Sequence, residues 1–206
     1  SIIGAQSLIN AGIPNPVVAL ENGTMGWHLA GYGLDHGQVR RAPNVTKNGL
    51  ERSRKMADTV AKRFGVEKVS SAGLERFRTQ TSEITLFVLD VRSPEEYIAG
   101  HLPGSRSAPG GQLVQATDEY VGVRHARLIH DTGVRATMTA SWLIQMGWDN
   151  VYVLDGGLTQ SGLEVGPEQR EVLGLGNLDV QLVEASVLNE LITQENAVVI
   201  DLADSL

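Results

Sequence analysis

An internal repeat constrains the organisation of this chain more than any other feature. Residues 1–23 (SIIGAQSLINAGIPNPVVALENG) align with residues 136–157 (ATMTASWLIQMGWDNVYVLDGG), with Gly12 opposite Gly147. The first segment has one extra residue before its apolar run at 17–20, which lies opposite residues 151–154. Each segment has the pattern of an amphipathic helix, a glycine suited to a left-handed C-cap, a buried four-residue strand and an acidic-glycine turn. Two copies of one helix-strand unit predict related domains in tandem.

A second, weaker match extends the repeat towards the end of the chain. Residues 183–191 resemble residues 69–77, and each segment is followed by an apolar run, at 197–200 and 86–89, that we expect to be a buried strand ending in aspartate, Asp201 and Asp90. The alternative is that any two helix-strand units look somewhat alike. We therefore expect folded units to run past both ends of the chain, and four regions: the C-terminal half of a preceding domain (1–40), a linker helix (41–66), one complete domain (67–170) and the start of a following domain (171–206).

The linker helix carries one apolar stripe, which is typical of a helix that packs on a neighbour. The stripe consists of Leu50, Met56, Ala57, Val60, Ala61 and Phe64.

Within the complete domain, strands alternate with helices. Residues 86–89 (LFVL) are continuously apolar, as in a strand covered on both faces, and a second strand is expected around residues 126–129. Ser93-Pro94-Glu95-Glu96 combines an N-cap serine, proline at the first helical position and a capping-box glutamate. This order predicts a mostly parallel sheet between helix layers, with ligands binding beyond the carboxyl ends of the strands.

Composition narrows the possible partners and chemistry. The net charge of -7 and the pI near 5.2 disfavour nucleic acid and anionic membranes, which need a concentrated basic face. The apolar runs are too short for a membrane span and nothing resembles a secretory signal, so we expect a cytoplasmic protein. The chain has no cysteine, which removes disulfides and thiolate catalysis for these residues. We predict no cofactor.

Five motifs in the complete domain occur in the order and spacing of a known family. They are Asp90-Val91-Arg92, Glu96-Tyr97, Gly100-His101-Leu102-Pro103-Gly104, Gly133-Val134-Arg135 and Val151-Tyr152-Val153-Leu154-Asp155-Gly156-Gly157. Over about a hundred residues the chain resembles the rhodanese-like domain family. The resemblance implies an α/β fold with three layers, α/β/α, around a mostly parallel central sheet, flanked here by partial rhodanese-like domains.

The resemblance also implies a chemistry for one loop. In the family, a Cys-x4-Arg loop between a strand and a helix directs backbone N–H groups and the helix dipole at the sulfur, and the thiolate takes sulfur from a donor such as thiosulfate. Counting back from Arg135 places His130 at the nucleophile position, so residues 130–135 form a degenerate active-site loop: His130, Asp131, Thr132, Gly133, Val134 and Arg135. Imidazole cannot form an equivalent persulfide, and Asp131 opposes anion binding by like-charge repulsion. The related phosphatase reaction needs the same cysteine and is disfavoured too.

The other motif residues have structural alternatives to a catalytic role. Arg135 could be a retained anion ligand, although a structural arginine bonded to loop carbonyls or to a carboxylate such as Asp90 is favoured. Asp90 and Glu96 could suggest paired carboxylates, but strand-end and capping-box roles explain them without catalysis. Arg92 follows the first strand as a motif residue.

Metal binding is a weak possibility. His130 and Asp131 with His101 or His125 could be imagined as ligands, but adjacent residues of a tight loop rarely converge on one ion. We predict no metal site, and we expect His101 to make a structural hydrogen bond at its turn.

Three functions remain open. In the first, the parent protein is a multi-domain thiosulfate sulfurtransferase, a neighbouring domain supplies the cysteine, and the complete domain is silent. In the second, the domain is a non-catalytic binding or regulatory module. In the third and least favoured, His130 is itself a nucleophile or phospho-acceptor. The expected partners are neighbouring rhodanese-like domains or a complementary fragment, and a small sulfur donor for the parent protein.

Overall fold

A computed structural model of the chain describes residues 2–40, 43–123, 127–130, 133–156, 158, 162–169 and 181–200, with only the backbone described at 127, 129 and 130. The chain forms two compact units, Ser1–Glu168 and Gln169–Leu206. The first unit contains the helices α1 (Ile2–Asn10), α2 (Gly23–Leu29), α3 (Lys47–Phe64), α4 (Ser71–Thr79), α5 (Pro94–Ala99), α6 (Gly110–Gln115), α7 (Thr117–Tyr120) and α8 (Val134–Gln145). Its strands are β1 (Glu67–Val69), β2 (Leu86–Asp90), β3 (Arg106–Ser107), β4 (Arg127–His130) and β5 (Val151–Leu154).

The five strands form one sheet in the order β1-β5-β4-β2-β3, and every neighbouring pair is parallel. The mostly parallel sheet predicted from the alternation of strands and helices is therefore confirmed. The strand expected around residues 126–129 is observed as β4, which extends to His130.

Helices cover both faces of the sheet, as successive strand residues show. Leu89 of β2 and Val153 of β5 belong to a core cluster on one face, while their neighbours Val88 and Leu154 belong to a cluster on the other. The first cluster includes residues of α6 and α8, and the second includes Leu74 of α4. Because side chains alternate across a strand, this division confirms the three-layer arrangement.

The start of α5 follows from local sequence. The Ser93 hydroxyl accepts a hydrogen bond from the Glu96 backbone N–H, and the Glu96 carboxylate accepts one from the Ser93 N–H. Pro94 occupies the first helical position. The capping box thus holds the Glu96 side chain near the carboxyl end of β2.

The linker helix is observed as α3, which begins after the N-cap Thr46 and ends at Gly65 in the left-handed region (φ 69°). Its stripe packs against α8, with Ala57 and Val60 buried. Leu50, at the start of the stripe, stays partly exposed.

The repeat is reproduced in the helix and its cap but not in the strand. Gly12 after α1 and Gly147 after α8 are both left-handed, with φ of 75° and 84°. Residues 17–20, however, form no strand, and Val18 and Leu20 are exposed. The expectation of a buried strand there is wrong because β5 pairs with β1 and β4, whereas no described strand pairs with residues 17–20.

The second unit shows the same difference. Its described part contains one helix, α9 (Ala185–Thr193), where a helix was expected. Residues 197–200, predicted to be a buried strand, form no strand, and Val198, Val199 and Ile200 are exposed. Within the described residues of this unit no neighbouring strand supplies the hydrogen bonds that a strand needs. Asp201 lies outside the described residues, and the four-region domain organisation stays a prediction.

Candidate active-site loop

The candidate site lies where the strand order reverses. After β2 the chain moves to β3 on one side, and after β4 it passes through α8 to β5 on the other side. Leu89 and His130 are in register at the neighbouring ends of β2 and β4. Parallel sheets bind ligands beyond such a reversal, because the diverging connections leave a crevice.

The degenerate loop occupies this position. His130 is the last residue of β4, and its backbone lies in register with Leu89 and Val153. Gly133 has a φ of 97°, a conformation that favours glycine, and α8 begins at the next residue. The sequence therefore placed the loop correctly between a strand and a helix. Asp131, Thr132 and the His130 side chain lie outside the described residues.

Arg135, in the first turn of α8, makes a two-bond ion pair with Glu96 of α5. Its Nη1 donates to Glu96 Oε2 at 2.7 Å and its Nη2 donates to Oε1 at 2.7 Å. The Arg135 hydrogen bond, opposed by partial burial and helped by the Ser93 N–H, lowers the pKa of Glu96 from 4.5 to about 2. The guanidinium thus meets a permanent carboxylate at neutral pH, which reduces its attraction for a second anion.

Asp90 is not the partner of Arg135 that the sequence suggested. The buried Asp90 carboxylate instead accepts hydrogen bonds from the backbone N–H and the guanidinium of Arg92. Arg92 also donates to the Gly100 carbonyl at 2.6 Å. The sequence analysis named a carboxylate as a partner of Arg135, which is the right kind of group, but the residue is Glu96 and not Asp90. Asp90 is instead bonded to Arg92, which lies only two positions away in the sequence.

His101 is buried on the turn after α5. Its Nδ1 lies 2.8 Å from the Tyr97 carbonyl oxygen, and its ring stacks on the Tyr97 ring with centroids 3.7 Å apart. Its backbone exchanges two hydrogen bonds with Glu164. The structure therefore ties His101 to α5 and to the segment that follows β5, in the structural role expected from its turn.

Beside the loop, a cleft of about 320 Å³ opens between α1 on one side and α6 and α8 on the other. We call it the α1–α8 cleft. Its lining residues are Ile3, Gly4, Ser7, Val91, Gly110, Gly111, Val114, Gln115, Val134, Arg135, Met138, Thr139 and Trp142. Trp142 Nε1 donates a hydrogen bond to Ser7 Oγ at 2.8 Å, which joins α8 to α1 across the cleft.

Sequence reasoning missed this contact. In the sequence analysis, Trp142 and Ser7 enter only as parts of the two aligned repeat segments. One signal was available, because the alignment that pairs Gly12 with Gly147 also places Ser7 opposite Trp142.

Metal-ligand clusters and membrane-spanning helices are both absent from the described part of the chain. No three His, Asp or Glu side chains among the described residues are grouped as metal ligands would be, and His125, Asp131 and the His130 side chain lie outside the described residues. None of the described helices is both long and apolar enough to cross a bilayer.

Comparison with known proteins identifies the family of this fold. The pattern of the rhodanese-like domain matches residues 74–161, which include both strands of the strand reversal and the β4–α8 loop. The curated thiosulfate sulfurtransferase GlpE of Pseudoalteromonas translucida (strain TAC 125) is 31% identical over 72 residues, which are 35% of this chain and 69% of that protein. The chain belongs to the rhodanese-like domain family.

Two further proteins are similar to this chain, one in sequence and one in both sequence and structure. The uncharacterised protein YqhL of Bacillus subtilis (strain 168) is 33% identical over 88 residues, covering 43% of this chain and 68% of YqhL. The crystal structure of a thiosulfate sulfurtransferase from Pseudomonas aeruginosa is 55% identical, with a TM-score of 0.77 over 82% of this rhodanese-like chain. That alignment covers 32% of the Pseudomonas chain, so the present chain spans about a third of its length.

Proposed function

We propose that this chain is part of a multi-domain rhodanese-type sulfurtransferase, which moves sulfane sulfur from thiosulfate or a similar donor to a thiophilic acceptor. Its complete domain is silent in that reaction, and a neighbouring domain supplies the nucleophile. The similarity to the Pseudomonas thiosulfate sulfurtransferase, which is much longer than this chain, supports the multi-domain part. The helix repeat, with its two left-handed glycines, supports it independently.

One observation carries the proposed silence. The residue that ends β4 before the Gly133 turn and α8 is a histidine, and the chain contains no cysteine at all. In sulfur transfer a thiolate attacks the outer sulfur of thiosulfate, a cysteine–sulfur bond forms, and sulfite leaves with the electrons of the broken S–S bond. An acceptor then takes the outer sulfur of the persulfide, and the thiolate returns. The His130 imidazole cannot hold sulfur as a persulfide.

The ion pair beside the loop supports the same proposal. Arg135 is already matched by the carboxylate of Glu96, with two hydrogen bonds of 2.7 Å. An anionic donor would gain less from this guanidinium than from one without a carboxylate partner. Asp131 adds a negative charge to the loop sequence.

The alternative is a non-catalytic binding or regulatory module. The hydrogen bond from Trp142 to Ser7 favours it, because α8 of the complete domain uses a side chain to hold α1. The two functions are compatible: a silent domain can position an active one.

A sulfur-transfer assay tests the silence. We expect purified residues 1–206 to transfer no sulfur from thiosulfate to cyanide above the uncatalysed rate, and a polypeptide that extends through the preceding domain to transfer it. Transfer by residues 1–206 alone, with no other polypeptide present by mass spectrometry, would show that the complete domain is active.

Restoring the thiol tests whether the loop is a degenerate sulfur carrier. With thiosulfate, we expect His130→Cys to gain the mass of one sulfur atom slowly. His130→Cys/Asp131→Ser should gain it about tenfold faster, because removing a neighbouring negative charge is worth about 1.4 kcal/mol at close range. His130→Ser is the matched control without a thiol. If neither cysteine variant gains sulfur, the loss of activity has another cause than the missing thiol and the added charge.

A further inference from the structure

The basic residues of the chain are concentrated on α3. This helix contains six of the 17 lysines and arginines of the chain but only two of its 24 aspartates and glutamates. It therefore has a net charge of +4 in a chain of net charge -7, and the remaining 11 basic and 22 acidic residues leave the rest at -11. The basic residues of α3 are all exposed, and we call them the basic face: Lys47, Arg52, Arg54, Lys55, Lys62 and Arg63.

The basic face lies opposite the side of α3 that packs on the domain. Ala57 and Val60 are buried, and α3 packs against α8. Both ends of the helix are fixed, by the side-chain cap of Thr46 and by Gly65 in the left-handed region. The charges are therefore presented to solvent at fixed spacings along a helix, which rises about 1.5 Å per residue.

Most of the positive charge on α3 has no carboxylate beside it. Glu51 pairs with Lys55 at 2.9 Å, and Asp58 lies 3.9 Å from Lys68 of β1. Within the described residues, no ion pair joins the other five members of the basic face to a carboxylate. A helix that is merely solvated usually balances its charges with pairs of opposite sign, and α3 does not.

The pattern of charges suits an acidic protein better than a phosphate polymer. Glu51 and Asp58 are seven positions apart, so they share one stripe of the helix with basic residues on both sides. A nucleic acid has a negative charge on every phosphate, and both this stripe and the acidic remainder of the chain repel it. A protein partner can place neutral or basic groups opposite the stripe and carboxylates opposite the arginines and lysines.

We propose that the basic face of α3 is a docking surface for an acidic segment of a partner protein. The docking does not depend on sulfur transfer, since α3 presents these charges away from α8. Complementary charges would orient the partner and speed its association, and salt would weaken the complex by screening.

Fluorescence anisotropy tests the docking, with a labelled oligoglutamate peptide as the probe and residues 1–206 at low salt. We expect the peptide to bind, and Arg52→Glu/Arg54→Glu to weaken binding about tenfold, because each reversal removes an attraction and adds a repulsion. Arg52→Gln/Arg54→Gln removes the charges without adding carboxylates near Glu51 and Asp58, and should weaken binding by a smaller factor. Circular dichroism confirms that each variant is folded.

Arg40→Glu/Arg76→Glu is the matched control. Both residues are exposed and lie outside α3, and the double substitution changes the net charge by the same amount. It should leave the affinity within about twofold, since exposed charges farther apart than the Debye length of about 10 Å are largely screened. An RNA oligonucleotide of the same charge as the peptide should bind more weakly than the peptide.

Three results would overturn the docking of an acidic protein. They are no binding of the peptide by the unsubstituted chain, equal losses in the α3 variant and the control, and tighter binding of the oligonucleotide than of the peptide. None of them bears on the proposed sulfur transfer, which is measured separately with thiosulfate and cyanide.

Discussion

Two arginine–carboxylate ion pairs lie at the carboxyl end of β2. Arg92 is paired with the buried Asp90, and Arg135 is paired with Glu96, whose side chain is 43% exposed. The local pair fixes the strand end, whereas the Arg135–Glu96 pair joins α8 to α5 across 39 positions of sequence. Loss of the Arg135–Glu96 pair should therefore loosen the loop before α8 more than loss of the Arg92–Asp90 pair.

The first prediction concerns Glu96→Gln. At pH 7 we expect this substitution to cost about 1 kcal/mol or less, because the pair is partly exposed and screened by water. Glutamine at this position still supports a capping box, so the loss reports the ion pair. The pKa of Glu96 is lowered to about 2, so its contribution is complete above about pH 4.5 and disappears as the pH falls towards 2.

Urea denaturation of both proteins at several pH values measures this dependence. The difference in the free energy of unfolding should be constant near neutrality and shrink between about pH 4.5 and 2. A double-mutant cycle with Arg135→Gln isolates the pair. Zero coupling between the two positions at pH 7 would contradict the prediction.

The second prediction concerns Gly110, the first residue of α6. A Cβ at this position would clash with Thr139 Oγ1 and lie 3.6 Å from the Val91 Cβ. Thr139 is buried on α8, so its side chain is closely surrounded by neighbouring atoms. We expect Gly110→Ala to lower the free energy of unfolding by about 1–3 kcal/mol, because α6 must move away from α8.

Gly111→Ala is the control for this substitution. A Cβ at Gly111 would meet no atom within 4 Å, and the residue lies in the same helix. It should be neutral or slightly stabilising, since alanine favours helix by up to about 1 kcal/mol over glycine. Equal stabilities of the two variants in urea denaturation would show that the close approach of α6 and α8 is not required.

At the scale of elements, α3 packs on α8 along its apolar stripe. Val60 is fully buried against the domain, and Ala57 beside it is nearly so. The third prediction is that Val60→Ala lowers the free energy of unfolding by roughly 2 kcal/mol, through lost burial and the cavity left behind. Thermal or urea denaturation measures the loss of stability, and Val39→Ala, at an exposed position, is the control. A loss no larger than that of Val39→Ala would indicate that α3 is dispensable for folding.

The sequence predicted elements well where the determining interactions are local. The beginning of α5 depends on a capping box within four residues, and β2 was indicated by its continuous apolar run. The same reasoning failed at residues 17–20 and 197–200, whose composition is equally strand-like. A strand is stabilised by its neighbours, and a pattern in one segment does not show whether a neighbour is present.

For the candidate site, the sequence predicted the position of the loop but not the contacts between the helices around it. The order of motifs along the chain predicted a strand before this loop and a helix after it, and in the structure β4 ends at His130 and α8 begins at Val134. The pairing of Arg135 with Glu96 could not be read from sequence, because it depends on how α5 and α8 are oriented above the sheet. The contact between Ser7 and Trp142 required the packing of α1, which no local pattern encodes.

For the whole molecule, the first unit combines a well-covered sheet with an uncovered apolar segment. Val18 is 89% exposed and Leu20 is 56% exposed, while the repeat counterpart of this segment is β5, an interior strand of the sheet. Scattered exposed apolar residues are ordinary, but a β-prone run that pairs with none of the described strands is a template for pairing with another chain. The fourth prediction is that residues 1–206 associate through this segment.

Sedimentation velocity should show an average sedimentation coefficient that rises with concentration. Val18→Lys/Leu20→Lys should reduce this association, because a charged side chain opposes burial of the new strand against a sheet. Val45→Lys is the control, since Val45 is also exposed but precedes α3. If the unsubstituted protein stays monomeric at every concentration, residues 17–20 need no partner. If the Val18→Lys/Leu20→Lys protein associates as strongly as the Val45→Lys protein, association uses another surface, such as the exposed residues 198–200 of the second unit.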